Sequence, residues 1–212
     1  MSLFDRAILL LTGLTALYLL WRFFASYRQE KQRQNIYYMI AFGVLLVAGL
    51  LLIIFTYGAL ASPLVVIVAV LIPAGLAAGL VAQIYPKLEL PFVIFAVVGL
   101  AAIAITRFTG PAVLATVVLI IVHSVAGLTI FALPILAVTR KLEPGGFLFV
   151  TVGGTLIGLG GIALAFLKTG GQLLFFSGDF VMLILAPLLL LMTLAFAWGF
   201  VGHLRAGQAA RH

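Results

Sequence analysis

The sequence predicts an all-α, polytopic integral membrane protein: seven transmembrane helices in one bundle, with the N-terminus out and the C-terminus in. Three observations carry that expectation. The 212 residues are 65% hydrophobic and 8% charged, with a mean hydropathy of +1.35. An ordinary soluble domain carries about 25% charged residues. Apolar runs of about 18 or more residues recur from one end to the other, each long enough for a membrane helix. Cations gather on alternate connections between those runs. The apolar residues run continuously instead of alternating, which argues against a β-barrel.

The first span is expected at residues 7–24, where Trp21 marks an interface and Arg22 is able to snorkel outward. Asp5 beside Arg6 and the lack of a small-x-small site before Tyr27 make it a retained span and not a cleaved signal. Ser2 in place of a myristoylation glycine, and the lack of cysteine, give no sign of lipidation. Residues 22–38 follow as the one long polar interruption, read as a loop. Arg22, Arg28, Lys31 and Arg33 stand there against Glu30.

The second span, 37–57, has tyrosines at both ends. Pro63 opens the third, 63–85, and Pro91 opens the fourth, 91–107. Pro111 opens the fifth, 111–138. A proline suits the first helical turn because the amide it lacks has no intrahelical partner there. The sixth span is 147–167 and the seventh 180–201, joined by a glycine-rich connector. These make one transmembrane domain, 1–205, with a short frayed cytoplasmic tail, 206–212. Pro73, Pro134 and Pro187 fall inside spans, either as static bends or as kinks that permit movement.

Placing residues 22–38 inside puts Arg22, Arg28, Lys31, Arg33, Lys87, Arg140, Lys141, Arg205 and Arg211 in the cytoplasm. Only Arg6, Arg107 and Lys168 remain outside. That positive-inside bias sets the orientation. It also accounts for the net charge of +7 without invoking nucleic acid.

His123 is the sharpest candidate for chemistry, because ionisable residues near the middle of a span are rare and often functional. Cofactor binding, as a haem or chlorin ligand, is one reading. Proton relay or solute binding is another, and a hydrogen bond to a neighbouring helix is the structural one. A bis-histidine haem needs a second histidine at matching depth. His203 and His212, at the cytoplasmic edge and in the tail, do not supply one.

Gly154, Gly158, Gly161 and Ala165 make a small-residue stripe on the sixth span, and Gly75 and Gly79 repeat the spacing on the third. Such stripes let helices approach closely, within the chain or against a partner. Asp179 caps its own helix or pairs with Arg107 or Lys168. Gln83, Tyr18 and the threonines are ordinary interhelical glue. Arg22, Arg28, Lys31 and Arg33 make the candidate lipid or partner contact, each cation adding about 1 kcal/mol near an anionic surface.

Several chemistries are set aside. Lys31, Lys87, Lys141 and Lys168 all lie outside span cores, so no lysine is placed for a retinal Schiff base. Intramembrane-protease motifs, a P-loop and an acidic metal cluster are not found. No cofactor is required by the sequence, and an enzyme is not expected. Three functional classes follow. The first is a non-catalytic accessory subunit or membrane sensor in the cell (plasma) membrane, with lipid and other membrane subunits, or itself, as partners. The second is a small transporter or channel using the proline-kinked spans, and the third a haem- or chlorin-binding protein.

Overall fold

The computed structural model describes the backbone of residues 1–168 and 178–209, without the side chains at 61, 112, 163–168, 179 and 205–209. Among the described residues every regular element is a helix. Seven helical stretches among those residues are long and apolar enough to cross a membrane. The expected roles of Asp179 and of the side chains of Ala165, Lys168, Arg205 and Arg211 fall outside the described residues, as does most of the connector before Asp179.

Helix α1, Leu3–Glu30, opens on a capping box. The Ser2 hydroxyl accepts from the Asp5 amide at 3.1 Å, and the Asp5 carboxylate accepts from the Ser2 amide at 2.7 Å. The helix does not stop at residue 24. It continues to Glu30 and ends where Lys31 turns left-handed (φ 54°). Gln32 then caps α2, Arg33–Phe55. The expected loop at 22–38 is therefore two helix ends and a two-residue link. Arg, Gln, Glu and Lys are good helix formers, and no Gly or Pro interrupts the stretch, so polarity alone did not break the helix.

A 3-10 turn at Thr56–Ala61 leads to α3, Pro63–Ala69, and α4, Leu71–Ile84. The expected third span is thus present as one apolar stretch, Pro63–Ile84, with its hydrogen-bond ladder interrupted at Val70. Pro73 has no amide to offer the Ala69 carbonyl four residues back, and its ring crowds that carbonyl. The Ala74 amide resumes the ladder on the Val70 carbonyl at 3.1 Å.

Helix α5 is Glu89–Thr109, with Pro91 in its first turn. Helix α6 is Ala112–Thr139, with Pro111 just outside as N-cap and Pro134 accommodated without a break. After a link containing the left-handed Lys141 and a 3-10 turn at Gly145–Phe147 comes α7, Leu148–Lys168. Helix α8, Gly178–Ala209, passes through Pro187 and continues through most of the expected tail.

Helices α1, α2, α4, α6, α7 and α8 pack pairwise around a closed ring, while α5 lies outside against α6, α4 and α3. The two halves of the ring are filled differently. At the end bearing the Lys31–Gln32 link, Phe23, Tyr38, Phe42, Phe147, Phe196 and Phe200 are fully buried. Phe200 contacts the other five, at ring-centroid distances of 4.7–6.2 Å. The opposite half holds smaller side chains, including Leu9, Leu52, Ala59 and Ala186. It also holds the cavities. Large apolar side chains such as Leu14, Trp21, Val97, Ile105, Leu128, Leu183 and Trp198 cover the outside.

Candidate functional site

His123 stands on α6 between two cavities. One, of about 190 Å³, lies between α3, α5, α6 and α7 and is lined by Val65, Val66, Ala69, Arg107, Ile120 and Ser124 among others. The second, of about 160 Å³, sits in the centre of the ring among Leu9, Thr12, Gly49, Leu52, Pro73, Ile157 and Met192. Leu60, Val65, Ala69, His123 and Gly161 line both. The imidazole is the polar part of the wall between them.

The ring leans on the backbone carbonyl of Ile157. Its Nε2 is buried and has no hydrogen-bond partner. It lies against the bare backbone of Gly161, in contact with the space a Cβ there would take. Leaving one donor or acceptor unmet in the interior costs about 1–3 kcal/mol. The cavity on the α5 side holds a second such group: Arg107 Nε is buried without a partner. Among the described residues no carboxylate pairs with Arg107 and none lines that cavity.

The glycines divide by what faces them. A Cβ at Gly75 would meet the Tyr37 carbonyl at 2.9 Å, and one at Gly79 would enter the Tyr38 ring. Gly154 faces Ile130 and Gly161 faces His123, whereas Gly158 has nothing within 4 Å. Four of the five stripe glycines named above thus face other helices of this chain.

Among the basic residues, Arg22 donates to the Tyr18 hydroxyl at 2.9 Å. Arg28 lies over Phe24, and Lys31 over Tyr27. Arg33 is 3.8 Å from Glu89, which also accepts from the Tyr37 hydroxyl at 2.7 Å. Arg28, Lys31 and Arg33 remain exposed.

Sequence reasoning missed a polar cluster below the aromatic plug. The Tyr38 hydroxyl donates to Gln83 Oε1 at 2.7 Å, and Gln83 Nε2 donates to Glu143 Oε1 at 2.7 Å. His203 Nδ1 lies 2.8 Å from Glu143 Oε2. This ties α2, α4, α8 and the α6–α7 link together. Its contacting pairs are 45–120 positions apart, so no local spacing pointed to the cluster. It also engages His203 at the plugged end, leaving His123 the one histidine at the cavities among the described residues.

Comparison with protein-family models, with curated proteins and with solved structures yields no match. The class of protein is therefore argued from the bundle and its cavities alone.

Proposed function

We propose that the chain is a multi-pass protein of the cell membrane, N-terminus out and C-terminus in, acting as a non-catalytic sensor or accessory module. In this reading it takes an apolar molecule into the open half of its bundle. The observation that carries the proposal is the position of His123, with an unpartnered buried Nε2 between two cavities of almost wholly apolar lining. Ligand sites are mostly apolar concavities with a few polar groups that fix orientation, in the range of about 300–1,000 Å³. The two cavities taken together fall at the lower end of that range.

The proposed orientation puts the aromatic plug and the basic helix ends on the cytoplasmic side, with Arg28 and Lys31 free to meet anionic lipid or another membrane subunit. The open half then lies toward the outer leaflet. Because the chain has no cysteine, Ser2→Cys and Gln32→Cys each introduce one reporter. In intact cells an impermeant maleimide is expected to label Cys at 2 and to reach Cys at 32 only after permeabilisation. The reverse pattern inverts the topology.

The ligand reading is tested by extracting the purified protein with organic solvent and analysing what is released. A lipophilic molecule, lost from a His123→Phe variant, supports it; an empty wild-type extract that takes up no added apolar molecule rejects it. A Soret or chlorin band in the same preparation selects the pigment alternative. The break at Val70 beside both cavities favours a second reading as a small transporter, whose test is solute or proton flux in liposomes with and without His123→Ala.

A further inference from the structure

We infer that the molecule taken up is an acyl chain bearing an oxyanion, held with its head on Arg107 and its chain directed toward His123. The inference rests on the proposal that the open half of the bundle takes a ligand, and names its chemistry. Three observations lead to it.

The first is charge. Arg107 is the cation on the wall of the α5-side cavity, its Nε is buried without a partner, and no carboxylate lines the cavity among the described residues. A guanidinium with an unmet N–H in an apolar wall is stabilised by an oxyanion that accepts its hydrogen bonds. The second is position. Arg107 is in the last turn of α5 and His123 lies twelve residues beyond Pro111 on the antiparallel α6. At 1.5 Å per residue His123 is roughly 13 Å deeper than Arg107. The cavity between them is otherwise lined by aliphatic side chains and Ser124. A charged head near the helix ends with a chain running inward is the arrangement of a lipid in one leaflet. The third is access. Ile120, Ser124 and Ile162 line the cavity and are exposed on the outside of the bundle. The cavity therefore opens sideways, toward the acyl region of a surrounding bilayer.

The oxyanion has two sources, the carboxylate of a free fatty acid or the phosphate of a membrane lipid. The test offers the full-length protein, stripped of lipid in non-ionic detergent, oleate, oleyl alcohol or dioleoyl phosphatidylglycerol, and counts bound molecules by native mass spectrometry. Binding of one anion per chain, with oleyl alcohol about tenfold or more weaker, is expected. The tighter of the two anions identifies the source. Arg107→Gln is expected to abolish the preference for the anion while leaving alcohol binding unchanged, and Arg107→Lys to keep the preference. Oleyl alcohol bound as tightly as either anion overturns the inference and leaves the ligand reading standing. Anion preference undiminished in Arg107→Gln also overturns it. Binding of none of the three overturns the inference and the ligand reading together.

Discussion

Gly158 and Gly161 sit less than one turn apart on α7, yet a methyl group would meet opposite surroundings at the two. At Gly161 it enters the imidazole of His123, and at Gly158 it meets nothing within 4 Å. Gly161→Ala is expected to displace the ring and lower stability by about 1–3 kcal/mol, an overpacking effect. Gly158→Ala is expected to lie within about 0.5 kcal/mol of wild type. Thermal unfolding in detergent measures both. The spacing of the stripe named the two glycines alike, since spacing says which residues share a face and not what that face meets. Glu143 makes the same point for polar groups. It lies in the short link between α6 and α7, yet its carboxylate accepts from Gln83 and meets His203. Glu143→Ala strands both partners, and a loss of about 1–3 kcal/mol is expected in the same assay.

The helices themselves were largely legible, with two instructive exceptions. The polar stretch at 22–38 reads as a loop on hydropathy, but helix propensity carries α1 to Glu30, and only the left-handed Lys31 ends it. Hydropathy reports the preferred solvent of a segment, not its backbone conformation. The third span reads as one helix from its apolar run, and Pro63–Ile84 is one such stretch, but Pro73 interrupts its hydrogen-bond ladder at Val70. A proline inside a helix costs about 3 kcal/mol in the absence of compensation, yet α6 and α8 pass through Pro134 and Pro187 unbroken. Whether a proline breaks or only strains its helix depends on the packing around it. Pro73→Ala supplies the missing amide to the Ala69 carbonyl. Hydrogen exchange at residues 70–74 is then expected to slow by about tenfold or more, as local opening becomes costlier.

The bundle is dense at one end and open at the other. Phe200 is the centre of the dense end, in ring contact with Phe23, Tyr38, Phe42, Phe147 and Phe196. Phe200→Ala removes those contacts at once, and a loss of about 3–5 kcal/mol is expected in equilibrium unfolding. In a membrane the loss is chiefly of packing, because lipid tails are as apolar as the ring they replace. Filling the open end has the opposite consequence. Ala69, on the wall of both cavities, has room beside it, so Ala69→Leu is expected to keep stability within about 1 kcal/mol while abolishing uptake of an acyl chain. Stability and ligand capacity are thus expected to separate between the two halves of one molecule.

Composition and the length of each apolar run were enough to anticipate that the described residues are helical, with seven stretches among them long and apolar enough to cross a membrane. These are additive properties, summed residue by residue, and no contact between distant positions enters them. They also picked out His123, because a lone ionisable group in an apolar run is visible locally. The ring closure of six helices, the Tyr38–Gln83–Glu143–His203 cluster and the convergence of Arg107, His123 and Gly161 on neighbouring cavities came only with the folded structure. Each depends on which faces of separate helices meet. That choice is made by shape and close packing across the whole bundle, and it leaves no periodic trace in any one segment.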